Sequence, residues 1–356
     1  MSVSSHATYR AGIRIMWYNV ENLFHPSDDT LSSDDDFTPG GLYHWTFGRY
    51  REKITRIAKV IIAAGEGEPP EVVGLGEVEC DSVLEDLVSH PILEPYGYRY
   101  LHRDSPDHRG IDVACLYREK RVRLLGWCSY PPSNDRSGRH NSTNTLSDHS
   151  GLPTSWPGLD SRPGSDLGSG SVFAPGLDFG RTREILHGWW VCKKQDTVDL
   201  LLVHLISRYG GSGATQGYRQ QQCEQILSIL DSVSRVRPGS LMVVGGDFND
   251  EFTGPSMKPF HDDTASALRC NIPALDANAG SYKYRGTWER IDFFMVAGPD
   301  RVRGISSRVF TLPPLMTTDE TYGGMKPFRT FEGVRYSGGT SDHLPVLLEI
   351  SDKIRR

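Results

Sequence analysis

The chain contains 356 residues, of which 37% are hydrophobic and 24% charged, as is typical of a globular protein with its own core. The formal net charge of −6 excludes a uniformly basic surface for nucleic acid, so any polyanion site has to be a local basic patch beside bound metal. The six cysteines form no CxxC pair and no apolar run reaches membrane-spanning length, which argues against zinc fingers, a disulfide framework and a transmembrane helix.

The first predicted elements are a strand, an acidic loop and a helix. Residues 14–20 (RIMWYNV) are mostly apolar, and Asn19 stands near the end of this strand, where it is either a turn former or a ligand. Residues 26–41 carry several aspartates, which is typical of a solvated loop. Isoleucines at helical spacing predict an amphipathic helix over residues 43–64.

The next elements are a second strand, a short helix and a hairpin. Glu77 follows the apolar run of the strand predicted over residues 71–79, and a carboxylate there is costly to bury unless it is paired or binds a metal. A structural salt bridge is therefore the alternative to a ligand. After a short helix over residues 81–90, residues 98–118 predict a hairpin in which Asp112 needs a partner. Its loop carries Arg109, either a fork for phosphate or a surface charge.

Composition changes sharply at about residues 131–180, which are rich in Ser, Gly, Pro, Asn and Asp. With little to bury, this segment is predicted to be a low-complexity insertion. Strand-like runs border it on both sides, so we expect one domain over residues 1–356 that contains the insertion. Its glycosylation sequon at Asn141 has meaning only in a secreted protein.

Two paired strands are predicted over residues 183–192 and 199–205. The second ends at His204, which is either a buried core residue or a ligand at the end of the strand, and Arg208 lies just beyond. A helix over residues 216–233 then leads into the stretch LMVVGGDFND, residues 241–250. Its apolar start predicts a buried strand, and its two glycines are expected to form a turn close to a ligand. Asp247 and Asn249 suit a divalent cation and a phosphate oxygen, or a simple Asx-capped turn.

The C-terminal part carries two more apolar strands. Asp292 lies within the strand predicted over residues 291–296, where it needs a partner such as a histidine. Residues 317–336 are predicted to be a polar loop with Lys326 and Arg329. The last strand, residues 344–350, is introduced by Asp342 and His343.

Five polar signals thus share one context, the end or edge of an apolar strand: Asn19, Glu77, His204, Asp247 with Asn249, and Asp342 with His343. This set suits phosphoester hydrolysis. Carboxylates hold Mg²⁺ or Mn²⁺, and a histidine oriented by an acid handles proton transfer.

The strings YNVENLF, GLGEVE, RGIDVA, GGDFND, ERIDFFMV and TSDHLPV resemble the motifs of the endonuclease/exonuclease/phosphatase superfamily. This group includes deoxyribonuclease I, abasic-site endonucleases, sphingomyelinases and inositol polyphosphate 5-phosphatases. The resemblance covers residues 14–350 except the insertion. It implies an α+β fold, a four-layer α/β/β/α sandwich of two mixed β-sheets flanked by helices, with the site at one edge.

The resemblance also implies roles for single residues. Glu77 is expected to be a principal metal ligand, with Asn19 nearby on metal or phosphate and Asp342 facing the metal. The cofactor is expected to be Mg²⁺ or Mn²⁺, with one or two ions. The phosphate contacts that we expect are Arg109, Arg208, Lys326 and Arg329.

The catalytic residues follow from the same resemblance. His343 is expected to contact the scissile phosphate or move a proton, with Asp292 orienting its ring. Asp247 is expected to position or deprotonate the attacking water, and Asn249 to hold a phosphate oxygen. His204 is expected to contact the phosphate or the transition state.

Some positions depart from the superfamily pattern. Val203 precedes His204 where many relatives carry Asn, and Arg109 stands where several use Tyr or another polar residue. The loops at residues 207–211 and 326–330 are most similar to an uncharacterised bacterial branch, so the substrate stays open.

The predicted function is metal-dependent hydrolysis of a phosphodiester by in-line attack of water. The substrate is either a nucleic acid or a small molecule or lipid headgroup. The sequence slightly disfavours a processive nuclease. A non-catalytic binding protein on the same scaffold is a third hypothesis. We predict a cytoplasmic protein, or a secreted or periplasmic one if a signal peptide has been removed, and the sequence indicates no protein partner.

Overall fold

A computed structural model of the protein describes residues 12–29, 32–132, 182–192, 197–208, 211–261, 270–273, 280–297 and 304–351. Apart from residues 131 and 132, the predicted insertion and its Asn141 sequon lie outside the described residues.

The described strands are, in chain order, β1 (Gly12–Leu23), β2 (Val72–Val78), β3 (Tyr98–Leu101), β4 (Asp112–Arg118), β5 (Arg123–Tyr130), β6 (Ile185–Val191), β7 (Thr197–His204), β8 (Leu241–Asp247), β9 (Tyr282–Tyr284), β10 (Thr287–Glu289), β11 (Asp292–Ala297), β12 (Ile305–Val309), β13 (Met316–Thr318), β14 (Met325–Pro327), β15 (Phe331–Glu332), β16 (Arg335–Tyr336) and β17 (Val346–Ser351). The described α-helices are α1 (Phe47–Ala64), α2 (Asp81–Val88), α3 (Ser212–Val236) and α4 (Lys258–His261).

The described strands form two larger sheets and three two-stranded ribbons. One sheet has the order β12-β17-β1-β2-β4-β3, and the other has the order β11-β8-β7-β6-β5. Each is mixed, because β1 runs parallel to β2 and β7 runs parallel to β8, whereas the remaining pairs are antiparallel.

The layers follow from the faces that each element buries. Side chains from both sheets, including Trp17, Leu202 and Phe294, form one central core. The outer face of the first sheet packs against α1 and α2, and the outer face of the second packs against α3. This arrangement confirms the predicted four-layer α/β/β/α sandwich.

Most of the long predicted elements are present, with shifted ends. Helix α1 begins at Phe47 rather than at residue 43, because Thr46 caps it by accepting a hydrogen bond from the backbone N–H of Arg49. The predicted hairpin at residues 98–118 is confirmed as antiparallel β3 and β4. The prediction that residues 317–336 form a polar loop was wrong in part, since this segment contains β13 to β16.

All six cysteines are free thiols, three of them buried and three half-buried. Among the described residues, no helix is both long and apolar enough to cross a membrane.

Candidate active site

The polar residues singled out in the sequence meet where the two sheets share an edge. Asn19 and Glu77 lie near the ends of the parallel strands β1 and β2. In the second sheet, Asp247 at the end of β8 is the register partner of both His204 on β7 and Asp292 on β11. The parallel pairing in each sheet therefore brings strand ends that are far apart in sequence to one place.

The glycines before Asp247 serve the packing of β8 and not a turn. An added Cβ at Gly245 would lie 2.2 Å from the Phe294 ring, and one at Gly246 would lie 2.0 Å from the Val203 carbonyl oxygen. The strand continues through both to Asp247. The expected turn at the glycines was wrong, because neighbouring strands fill the space that a side chain would need.

Bulges in β1 and β2 turn Glu77 toward the site. Glu77 has a φ of +65°, and the pairing of β2 shifts register at this residue on both sides. Its Oε2 accepts a hydrogen bond of 2.8 Å from the backbone N–H of Asn22, which has a φ of +50° itself. Its other oxygen, Oε1, faces Asn19.

Asn19 connects the two sheets. Its Nδ2 donates to Glu77 Oε1 over 3.3 Å and to Asp247 Oδ2 over 3.2 Å. Its Oδ1 accepts from the backbone N–H of Glu21 over 3.0 Å, which fixes the orientation of the amide. Asn19 thus holds two carboxylates from opposite sheets beside each other.

His343 and Asp292 form a buried dyad. His343 Nδ1 lies 2.7 Å from Asp292 Oδ2, and the same carboxylate accepts hydrogen bonds from Trp17 Nε1 over 2.8 Å and from Ser281 Oγ over 2.7 Å. Burial alone would lower the pKa of His343, but the negative charges of Asp292 and Asp247 outweigh it and raise that pKa well above its usual value. The imidazole is therefore held in its charged form.

Asp247 is the carboxylate toward which both histidines point. The Nε2 atom of His204 lies 3.5 Å from Asp247 Oδ2, and that of His343 lies 3.9 Å away. Burial and then the charge of Asp292 raise the pKa of Asp247 to about 7. Its Oδ1 accepts from the backbone N–H of Asn249 over 2.9 Å, so an Asx turn is present at the mouth of the cavity.

His204 is kept neutral. Burial, and then the positive charges of Arg183 and Arg109, lower its pKa well below the usual value. Its Nδ1 is buried without a hydrogen-bond partner among the described residues.

These side chains open into a cavity of about 460 Å³. Of the predicted site residues, it is lined by Glu77, Arg109, His204, Arg208, Asp247, Asn249, Asp342 and His343. Its volume lies in the ~300–1,000 Å³ range of sites that hold a small ligand.

The predicted phosphate contacts lie in two different cavities. Arg208 lines the cavity but makes a two-pronged ion pair with Glu289. Lys326 and Arg329 line a neighbouring cavity instead. Lys326 Nζ lies 2.6 Å from Glu332 Oε1, and Arg329 donates to Glu21 and Asp342, each over 3.1 Å.

A buried network that the sequence reasoning missed supports Asp342. Glu21 accepts from Arg329 Nε and, over 2.6 Å, from the backbone N–H of Thr330. Lys53, fully buried on α1, donates to the Glu21 carbonyl oxygen and to Thr330 Oγ1. Burial lowers the pKa of Lys53 to about 8, against the opposing effect of Glu21. The sequence feature that could have indicated this network is a lysine among the buried isoleucines of α1.

A second missed residue is Arg183. Its buried guanidinium donates to the carbonyl oxygens of His204 and Leu205 over 3.2 and 2.7 Å. It also donates to Asp107 over 2.8 Å, whose other oxygen accepts from the backbone N–H of Arg109. Arg183 thus ties the end of β7 to the loop that carries Arg109.

The oxygen atoms of the site fit a divalent cation. Two carboxylates, Glu77 and Asp247, lie on either side of the donating Asn19 Nδ2, and burial raises the pKa of Asp247 because no opposite charge compensates it fully. Asp247, Asp292 and His343 also offer atoms within 4.8 Å of one another. Glu77, Asp247 and Asp342 line the cavity and Asp292 does not, so these three are the carboxylates that can reach an ion or a water molecule there.

The model of the Endonuclease/Exonuclease/phosphatase family matches residues 14–140 and 175–352. The chain belongs to this family. Family membership makes it a hydrolase of the class that acts on phosphoester bonds. No curated protein matches the chain by sequence.

Solved structures of the same fold come from several organisms. The human Nocturnin catalytic domain with bound sulfate aligns with a TM-score of 0.52 at 16% identity, covering 96% of this chain and 95% of that one. A family protein from Bacteroides vulgatus aligns at 0.54 and 13%, covering 96% and 99%. TDP2 from C. elegans aligns at 0.53 and 12%, covering 95% and 75%. At these identities the likeness shows the fold alone.

Proposed function

We propose that the protein is a phosphodiesterase that uses Mg²⁺ or Mn²⁺ and cleaves its substrate by in-line attack of water. One observation carries the proposal: a histidine–aspartate dyad, His343 with Asp292, faces the Asp247 carboxylate at the edge where Asn19 and Glu77 also converge. A buried acid with a raised pKa beside a charged histidine is the pairing that acid–base catalysis at neutral pH needs.

Glu77 and Asp342 would hold the cation, with Asp247 beside them. Asn19, which was also expected at the metal, donates from Nδ2 to Glu77 and Asp247 and would position these carboxylates. When bound, the cation neutralises the charge that develops on the phosphate. Asp342 is fixed for this role by Arg329, which spans from its carboxylate to buried Glu21.

The other residues take complementary parts. Asp247, which lines the cavity beside Glu77, accepts the proton of the attacking water. Charged His343 donates a hydrogen bond to a phosphate oxygen or a proton to the leaving oxygen. Asn249 and neutral His204 bind the remaining phosphate oxygens. Arg109, on the cavity wall, is the cation best placed to contact the phosphate.

A small or single-stranded diester is favoured over a long duplex. Duplex binding needs several cations free to contact phosphates along a face. Arg208, Lys326 and Arg329 are instead paired with carboxylates, and Arg109 Nε lies 3.6 Å from Asp107 Oδ1, a carboxylate that it shares with Arg183. The site therefore offers charge for about one phosphate.

The direct test uses bis(p-nitrophenyl) phosphate with Mg²⁺ or Mn²⁺. Glu77→Ala and His343→Ala are each expected to lower turnover by at least about 100-fold, since each removes a group that acts in the transition state. Lys120→Ala, at an exposed residue of the β4–β5 turn, serves as the control. Unchanged turnover in either site variant, with the fold intact by circular dichroism, contradicts the roles assigned to these residues. No turnover by the native protein with either ion favours a non-catalytic binding protein.

A further inference from the structure

A second, smaller cavity of about 200 Å³ adjoins the candidate active site. Tyr282 and Asp342 line both cavities, so the two spaces meet beside His343. The second space is smaller than the ~300–1,000 Å³ of a site for a whole small ligand. It is therefore of a size to hold one part of a substrate whose phosphate lies in the first cavity.

One wall of the second cavity is the tip of the β9–β10 hairpin. Strand pairing leaves Arg285 and Gly286 as a two-residue turn, and their φ values of +47° and +86° are those of a tight hairpin turn. Gly286 is required there, since an added Cβ would also lie 3.0 Å from Tyr322 Cβ. The hairpin tip thus packs directly on the loop that forms the opposite wall.

Lys283 locks the two walls together. Its Nζ donates to the Gly323 carbonyl oxygen over 2.7 Å and lies 2.8 Å from Asp319 Oδ2. The side chains of Lys283 and Asp319 are only 4% and 6% exposed. Asp319 also accepts from the backbone N–H groups of Thr321 and Tyr322. The walls are therefore fixed in advance of any ligand.

Two tyrosine rings stand exposed on these fixed walls. Tyr284, which lines the first cavity, is 48% exposed, and Tyr322, which lines the second, is 56% exposed. The Arg285 guanidinium lies 5.2 Å from the centre of the Tyr284 ring. Aromatic rings and a guanidinium offer flat faces on which another planar group can stack.

The charges of the second cavity argue against a second phosphate. Lys283 is paired with Asp319, Lys326 with Glu332, and Arg329 with Asp342 and Glu21. Arg285, the remaining cation of the lining, lies against the Tyr284 ring. The lining therefore combines exposed rings with cations of which three are paired with carboxylates, which suits a planar ring better than an extended polyanion.

We propose that a nucleobase belonging to one of the groups esterified to the phosphate binds where the two cavities meet, against Tyr284 on the wall of the first and Tyr322 on the wall of the second. This inference rests on the proposed function and names its substrate class, a nucleotide-containing diester. It assigns specificity for that substrate to the β9–β10 hairpin and to the loop that carries Tyr322.

The test is a binding measurement by calorimetry in the presence of Mg²⁺. The protein is expected to bind thymidine 5′-monophosphate at least about tenfold more tightly than 2-deoxyribose 5-phosphate, which lacks the base. The double variant Tyr284→Ala with Tyr322→Ala is expected to lose this preference and to bind 2-deoxyribose 5-phosphate as before. The double Phe variant, which keeps the rings, and Val334→Ala, at another exposed apolar residue, are expected to retain it.

Equal affinity of the native protein for the two phosphates overturns the inference, as does an equal loss for both ligands in the double Ala variant. Binding to phosphatidylcholine vesicles that the double variant loses, without any preference for the base, assigns the rings to a lipid surface and also overturns it. Because the readout is binding, a protein that prefers the nucleotide yet hydrolyses no diester contradicts the proposed function alone.

Discussion

At the scale of single residues, the site depends on which partner each titratable group has. Asp292 accepts three hydrogen bonds, from Trp17, Ser281 and His343, so its carboxylate can both hold the imidazole in place and favour its charged form. The surroundings of Asp247 act in the opposite direction, because burial and the charge of Asp292 disfavour the charged form of this carboxylate.

The substitution Asp292→Asn tests whether Asp292 holds His343 in its charged form. The amide can still accept from Trp17, but its NH2 group replaces the oxygen that accepts from Ser281 and His343, so we expect a lower thermal midpoint and a fall in kcat of about 100-fold or more. Loss of the negative charge lowers the pKa of His343, so the alkaline limb of the pH–rate profile is expected to move to lower pH. Rate profiles of both proteins measure the shift, and superimposable profiles would show that Asp292 does not set the charge of His343.

Away from the site, Asp199 gives a prediction about stability. Burial opposes its ionised form, but hydrogen bonds from His187 and Arg237 outweigh burial and lower its pKa to about 2. Because the folded pKa lies below the unfolded value of about 3.9, ionised Asp199 contributes about 2–3 kcal/mol above pH 5. This contribution decreases as the pH falls toward 2, by about half at pH 3.

Urea unfolding of the native protein and Asp199→Asn at pH 6 and pH 3 measures this contribution. The difference in unfolding free energy between the two proteins is expected to shrink at pH 3. A difference that is the same at both pH values would count against a depressed pKa of Asp199.

At the scale of elements, sequence patterns predicted the long ones because they bury continuous apolar faces. Strands β1, β2 and β8 and helix α1 all carry such faces, and the polar residues at strand ends marked the site. The short, half-exposed strands β9, β10 and β13 to β16 were missed, since two or three residues are too few for a periodic pattern.

The contacts that support the site could not be predicted from the sequence, for a different reason. Lys53 and Thr330 are 277 positions apart, and Arg183 and Asp107 are 76 apart. Their pairing depends on how α1 and the loops pack on the finished sheets, which local periodicity does not encode. The motif residues could be placed from the sequence, whereas the residues that hold them could not.

Helix α1 supplies a prediction at this scale. Lys53→Met keeps most of the side-chain volume but leaves the Glu21 carbonyl oxygen and Thr330 Oγ1 without their donor, which is expected to cost about 1–3 kcal/mol of unfolding free energy. Lys59→Met, at an exposed position of the same helix, is the matched control and is expected to change stability by less than about 0.5 kcal/mol. Equal effects of the two substitutions in urea unfolding would rule out the buried network as the cause.

At the scale of the whole molecule, a net charge of −6 and the internal pairing of cations around the cavities limit what the protein can bind. If the site contacts one or two phosphates, the kcat/KM on a single-stranded oligonucleotide is expected to fall by less than about tenfold between 50 and 200 mM salt. Initial rates over this range measure the slope. A fall of about 1,000-fold or more would instead indicate an extended track for a polyanion.

We propose that the shared edge of the two sheets is a metal-dependent phosphodiesterase site. Its most direct test is the initial rate of bis(p-nitrophenyl) phosphate hydrolysis by the purified protein, measured first in excess EDTA and then after Mg²⁺ or Mn²⁺ is added back. We predict that the rate is at background in EDTA and is restored by the added ion. Hydrolysis at the same rate in EDTA, or no hydrolysis with either ion, would contradict this account.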